Sequence, residues 1–381
     1  MHIEVTFDPD IQPGPEQAAA LQQHIDQVHQ AGGGIVSLAP GCYITSTLFL
    51  RSGVELHLQY GACVQAWHDL NDYPLTADAA ENKDQSKVHL IAAVDCQDIA
   101  ITGRGVIDGQ DQSFWTPIPD DQPRMYGIFT FDIKDSPRHR PSPLVQLIRC
   151  RHVRVEQCTI RSAPGWALHL FDCDIALVTG LTIRGHPLGP HTDGIGINGS
   201  RDVRVSDCDV DTGDDAIIIK ATNTDSVCRH VTVTNCVVAS NCAGLGLGAD
   251  VYGLISDVTF SNCVVKKSLR MIQVEMWFPG QVHRAVFSGI TGRTMPDPGV
   301  ENERPIYIDI QEQLRTGGEL GQVSDLVFRD ILCESRGRIL MTAQDGARID
   351  GVSLNNVIVN VPEIEDPAET IPRAISLQLS N

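Results

Sequence analysis

Between residues 150 and 265 the chain repeats one pattern, polar-polar-apolar-polar-apolar-polar-polar-Cys, as CRHVRVEQC, CDIALVTGL, SRDVRVSDC, CRHVTVTNC and ISDVTFSNC. Alignment puts Val153, Ala176, Val203, Val231 and Val258 in one column, at spacings of 23, 27, 28 and 27 residues, and Cys158, Leu181, Cys208, Cys236 and Cys263 in another. β-Branched alternation broken by Asn, Asp and Gly carries no 3.6-residue period, so each unit reads as several short strands. Units of this length stack as a parallel β-helix, in which each coil pairs its strands with the coil below at about 4.8 Å and inward residues form ladders. The pattern therefore predicts an all-β, single-domain solenoid. The phase extends to Ile99, two periods before Val153, to Ala285 after Val258, and past an insertion to Leu326 and Val352. Residues 15–31 are the one convincing amphipathic helix and end in Gly32-Gly33-Gly34. Residues 1–34 thus read as an N-terminal cap with a short helix, 35–360 as coils and 361–381 as a C-terminal cap or tail. The stretches 110–143 and 292–305 break the period and read as long loops overhanging one face, where solenoids place binding sites.

Composition narrows the function classes. At 381 residues with 42% hydrophobic and 20% charged content the chain has ample material for a core. No apolar run reaches the ~18 residues of a membrane span, so a membrane partner is not expected. Twenty-nine Lys and Arg against 48 Asp and Glu, a formal charge of -19, repel phosphate backbones and exclude nucleic acid as the expected partner. The twelve cysteines fall singly, without a CxxC pair, and read as reduced thiols rather than a disulfide framework. With no basic start followed by an apolar block, the chain as given is expected in the cytoplasm; a secreted or periplasmic chain lacking its signal would read the same. Thirteen histidines show no HExxH or His-x-His spacing, and GRGVIDG lacks a strand-to-helix context, so neither metal nor other cofactor is expected.

Three carboxylates interrupt strands at matched places of successive coils: Asp193 in PHTDGIGING, and Asp214 and Asp215 in TGDDAIIIK. Stacking brings them onto one outer face, where mutual repulsion keeps one protonated beside ionised partners, the division of labour that glycoside hydrolysis uses. Asp-Gly and Gly-Asp-Asp also suit coil-capping turns or calcium ligation, and spacing alone leaves both readings open.

The ordered pair PHTDG and GDDAIIIK resembles the Asn-Thr-Asp-Gly and Gly-Asp-Asp-x-Ile-x-Ile-Lys motifs of the polygalacturonase-like glycoside hydrolases, family 28, and the likeness runs from the helix-GGG segment to RPIYIDIQ. The resemblance implies a right-handed parallel β-helix and an inverting hydrolase of plant cell-wall or related oligosaccharides. It implies Asp214 as general acid, with Asp193 and Asp215 positioning and deprotonating the attacking water. Three departures bear on specificity. His191 stands where the family has Asn, Ala243 in CAGLGLG where it has the histidine of Gly-His-Gly, and Arg270-Met271-Ile272 where it has Arg-Ile-Lys. A uronate clamp reduced to Arg270 implies an altered subsite preference. His191, Arg270, Gln273, Glu275, Trp277, His169, Tyr307 and Gln311 are the candidate substrate contacts, with wall packing under a loop the slightly favoured reading for Trp277 and strand packing equally open for Tyr307. Trp115 and Tyr126 in the first long loop are sugar platforms or loop anchors. The two long loops favour exo action by blocking one end of a cleft. The competing functions are a β-helix uronate lyase or epimerase and a non-catalytic carbohydrate-binding solenoid.

Overall fold

The computed structural model describes residues 1–76, 78–79, 85–119, 130–133, 140–295, 303–311 and 319–362. Tyr126, with residues 120–129 and 134–139 of the 110–143 loop, and the tail from 363 onward lie outside the described residues. The chain winds into a right-handed parallel β-helix with three strands to a typical coil.

The column read from the repeat is the observed register. Val153, Ala176, Val203, Val231, Val258, Ala285, Leu326 and Val352 pair one to the next through successive coils. From Val153 to Leu326 they are buried. Ile99 pairs directly with Val153, so the segment between them is one coil carrying a long insertion and not two periods. Cys158, Cys208, Cys236 and Cys263 form a buried ladder of free thiols. The residue before that column turns the chain through the left-handed region, with φ of 66° at Gly180, 57° at Asp207, 55° at Asn235 and 53° at Asn262. Gly, Asp and Asn tolerate that conformation, which is why the repeat places them there.

The helix Pro15–Gln30 lays Leu21, Ile25 and Val28 on the first coils. The cap also holds a strand that the periodicity did not predict, His2–Val5, paired in parallel with Gly34–Leu38. The 292–305 loop is shorter than expected, because the strand Gln281–Thr294 runs into it and Arg304–Ile310 begins before its end.

The third strand of each coil builds a ten-stranded sheet from Leu48–Phe49 to Leu340–Ala343. Its inward row runs Leu168, Ile195, Ile217, Leu245, Ile272 and Ile306, and its outward row runs Gln146, His169, Gly196, Ile218, Gly246, Gln273 and Tyr307. The candidate chemistry lies on the outward face and at the turn that leads into it.

Candidate active site

Asp193 and Asp215 occupy the same place on neighbouring coils. The Gly194 N–H donates to the Asp215 carbonyl at 2.9 Å, and the Ala167 N–H donates to the Asp193 carbonyl at 2.8 Å. Gly194 is required between them, since a Cβ there would meet the Ala216 carbonyl oxygen at 2.4 Å. Asp214 is fixed by its own backbone: its carbonyl accepts from Ser240 Oγ at 2.7 Å and Thr212 Oγ1 at 2.8 Å, while its Oδ1 accepts the Asp215 N–H at 3.0 Å. Asp215 Oδ1 accepts the Ala243 N–H at 3.1 Å from the next coil. All three acids are thus brought to one outer edge, as stacking predicts.

Their electrostatics divide them. Burial, reinforced by the Asp214 charge, pushes Asp215 up to about 6. Burial also acts to raise Asp214, but His191, whose Nδ1 lies 3.6 Å from Oδ2, together with the Lys220 charge, holds it below the usual carboxylate value. In the free site the pair therefore carries its proton on Asp215, whereas the family likeness gives the acid role to Asp214. The pH dependence follows from the sign: a group raised to about 6 is protonated below that pH and lost as an acid above it. We expect kcat/KM to fall as pH rises through about 6, and a rate still flat at pH 8 would refute this proton placement.

Lys220 is a candidate site residue that the sequence reading passed over, although it closes GDDAIIIK. It projects outward from Ile217–Ala221, buried, with Nζ 2.9 Å from Asp250 Oδ2 and 5.0 Å from the Trp166 ring centroid. Burial alone would lower its pKa, but Asp250, Asp193 and Asp215 raise it, so an ammonium stands permanently among the acids. The available signal was a lysine at an outward position of an otherwise apolar run.

His169 is buried, with Nδ1 2.9 Å from Gln146 Oε1 and its ring edge-on to Trp166. Burial first, then the Lys220 charge, lowers it to about 3, so it is a neutral donor or acceptor on the floor of the face.

Two coils beyond the acid pair, Gln273 and Glu275, with Tyr307 of the next coil, come together around the Arg270 guanidinium. Arg270 Nη1 donates to Gln273 Oε1 at 2.8 Å and to Glu275 Oε2 at 2.9 Å, and its carbon lies 4.2 Å from the Tyr307 ring centroid. Tyr307 donates to Asp309 Oδ2 at 2.7 Å and is buried, which makes it a packing partner of the arginine. Ile272 points into the core. Trp277 is half-buried with its indole N–H unpaired among the described residues, and Gln311 follows the strand Arg304–Ile310 with its side chain partly exposed. Trp115 is an anchor: it is buried, donates to the Pro164 carbonyl at 2.8 Å and packs against Phe131 and His186.

One donor set has the composition of a cation site, Asp214, Asp215 and Cys242, with ligand atoms within 4.8 Å of one another. The Lys220 and Arg270 charges also act on Asp215.

The model of Glycosyl hydrolases family 28 matches residues 72–375. The chain is 21% identical over 334 residues to an endo-polygalacturonase of Pectobacterium carotovorum subsp. carotovorum, across 85% of this chain and 80% of the relative. It is 25% identical over 287 residues to a probable polygalacturonase of Vitis vinifera, across 69% of this chain and 54% of the relative, so it spans about half of that longer protein. Among solved structures, the polygalacturonase from Erwinia carotovora ssp. carotovora aligns with a TM-score of 0.72 at 19% identity, over 94% of this chain and 96% of that one. The exopolygalacturonase from Thermotoga maritima aligns at 0.67 and 20%, over 94% and 92%. At these identities the structures speak for the shared coil architecture, while the sequence model spans the whole column of carboxylates from Asp193 to Asp215, and the chain belongs to the glycosyl hydrolases of family 28.

Proposed function

We propose that the chain is an inverting, exo-acting hydrolase of plant cell-wall or related oligosaccharides whose subsite beside Asp215 has turned away from galacturonate. The observation that carries the hydrolase reading is the stacking of Asp193 and Asp215 on neighbouring coils with Asp214 beside them. The Asp214–Asp215 pair holds one proton and gives it to the glycosidic oxygen. Their oxygens lie within 4.8 Å, closer than the ~6.5–9.5 Å that leaves room for water between an acid and a base. The base facing the pair is therefore Asp193 from the neighbouring coil, whose charge interacts with the Lys220 ammonium. Water attacks from the side of Asp193 as the leaving group departs protonated, which inverts the anomeric carbon.

The specificity reading rests on charge. A uronate carboxylate needs a cation with charge to spare, and Arg270 already spends its charge on buried Glu275 while Ile272 contributes none. A neutral sugar offering hydroxyls to Gln273 and Glu275 meets no such competition. Exo action draws support from the anchoring of Trp115 and Phe131 on His186, which holds the described ends of the 110–143 segment beside the turn entering Asp193.

The test is a reducing-end and mass-spectrometric screen on galacturonide, rhamnogalacturonan and neutral plant oligosaccharides, with Asp214→Asn alongside. Hydrolysis of one substrate class, absent in the variant and releasing products from one chain end, is the expected result; an unsaturated product would place the chain among lyases, and binding without turnover would make it a binding solenoid. Glu275→Gln should release Arg270 and raise kcat/KM on galacturonides roughly tenfold, the value of one charge-assisted contact, without a gain on neutral substrates. A fall on galacturonides would show that Glu275 orients the arginine for a uronate instead.

A further inference from the structure

Eleven of the twelve cysteines sit within coil ladders or along the strands of the first coils, but Cys242 stands at the acid pair. Its sulfur is within 4.8 Å of carboxylate oxygens of both Asp214 and Asp215. Two separate restraints hold it there. The Cys242 N–H donates to Ser240 Oγ at 2.7 Å while that hydroxyl donates to the Asp214 carbonyl at 2.7 Å, so a single serine clips the cysteine to the acid. From the following coil the Arg270 N–H donates to the Cys242 carbonyl at 2.9 Å. The next residue, Ala243, gives its N–H to Asp215 Oδ1 at 3.1 Å but has no side chain that could donate.

Resting on the hydrolase reading above, we propose that Cys242 is a positioning residue of the acid pair, its S–H being the side-chain donor on the Arg270 side that keeps the two carboxylates in one arrangement. A thiol is a weak donor, so its influence is graded rather than absolute. Burial and the charges of Asp215 and Asp214 push the thiol well above its usual value, so it stays protonated and able to donate across the working pH range. From the opposite side the pair is met by His191 and Lys220. Cys242 thus closes a ring of donors, and the pair's proton is held by three coils at once. Removal of a donor that favours the ionised form raises the titration midpoint of the pair.

The experiment follows Asp side-chain carboxyl titration by ¹³C NMR, and the pH profile of kcat/KM on the best substrate of the screen, in Cys242→Ala and Cys242→Ser, with Cys263→Ala as the ladder control. In Cys242→Ala the midpoint and the basic limb should both move up by roughly half a unit to one unit, with kcat lowered. Cys242→Ser, which keeps a donor, should return the limb to the wild-type position or below it. Cys263→Ala should lower the melting temperature without moving the limb. An unchanged titration in a folded Cys242→Ala protein, or a limb that moves equally in Cys263→Ala, would overturn the positioning role and leave the hydrolase reading standing. A wild-type protein that hydrolyses none of the panel would instead overturn the hydrolase reading, whatever the titration shows, and the positioning role with it. Should Cys242→Ala fail to fold, Cys242→Val, which fills the space without a donor, makes the same comparison.

Discussion

Asp193→Asn, Asp214→Asn and Asp215→Asn should each lower kcat by roughly 10²–10⁴-fold while leaving the circular dichroism and the melting transition unchanged. The reason is positional. These side chains emerge at an outer edge of the coil, so an isosteric amide preserves packing and removes only a proton donor or acceptor. The three losses differ in kind. A variant lacking the acid should recover on a substrate whose leaving group needs no proton, such as a dinitrophenyl glycoside, whereas one lacking the base should not. Recovery in Asp215→Asn but not in Asp214→Asn would agree with the proton placement that burial and the Asp214 charge produce, in which Asp215 sits at about 6. The reverse would mean that bound substrate moves the proton to Asp214. If all three variants keep near-wild-type rates, the column is a set of turn residues.

The second large effect lies in the core. Phe260, Phe287 and Phe328 stack in register on three successive coils, with ring centroids 4.9 and 5.1 Å apart and planes within 5° of parallel. Phe287 is fully buried between the other two, so Phe287→Ala removes both contacts and opens a cavity that two rigid neighbours cannot close. A loss of about 3–5 kcal/mol is expected. Because a coil touches only its neighbours, the damage should stay local. Hydrogen exchange should show protection lost in Gln281–Thr294, Gln322–Glu334 and Arg348–Asn360, with Arg151–Glu156 to Arg201–Ser206 retained. Equal loss through all coils would contradict a nearest-neighbour solenoid.

Both expectations bear on how much was legible beforehand. A coil repeats its inward positions at nearly constant spacing, so Val153, Ala176, Val203, Val231 and Val258 declare their own register, and two motifs one coil apart declare that Asp193 and Asp215 meet. Periodicity failed where a coil carries an insertion. Between Ile99 and Val153 the length suggested two periods, and only the pairing reveals one coil with a loop.

The partners of outward side chains were a different matter. Glu275 and Gln273 were named as sugar contacts, yet both carboxylate and amide are turned onto Arg270. Lys220 and Asp250 are 30 residues apart and meet only across a coil. Cys242 read only as one of twelve reduced thiols. Sequence alone determined the coil, its register and the column of acids, because inward burial enforces a repeat that composition makes visible. Tertiary structure alone decided which charges are already satisfied and where the shared proton rests, because those depend on side chains that different coils aim at the same few ångströms of space.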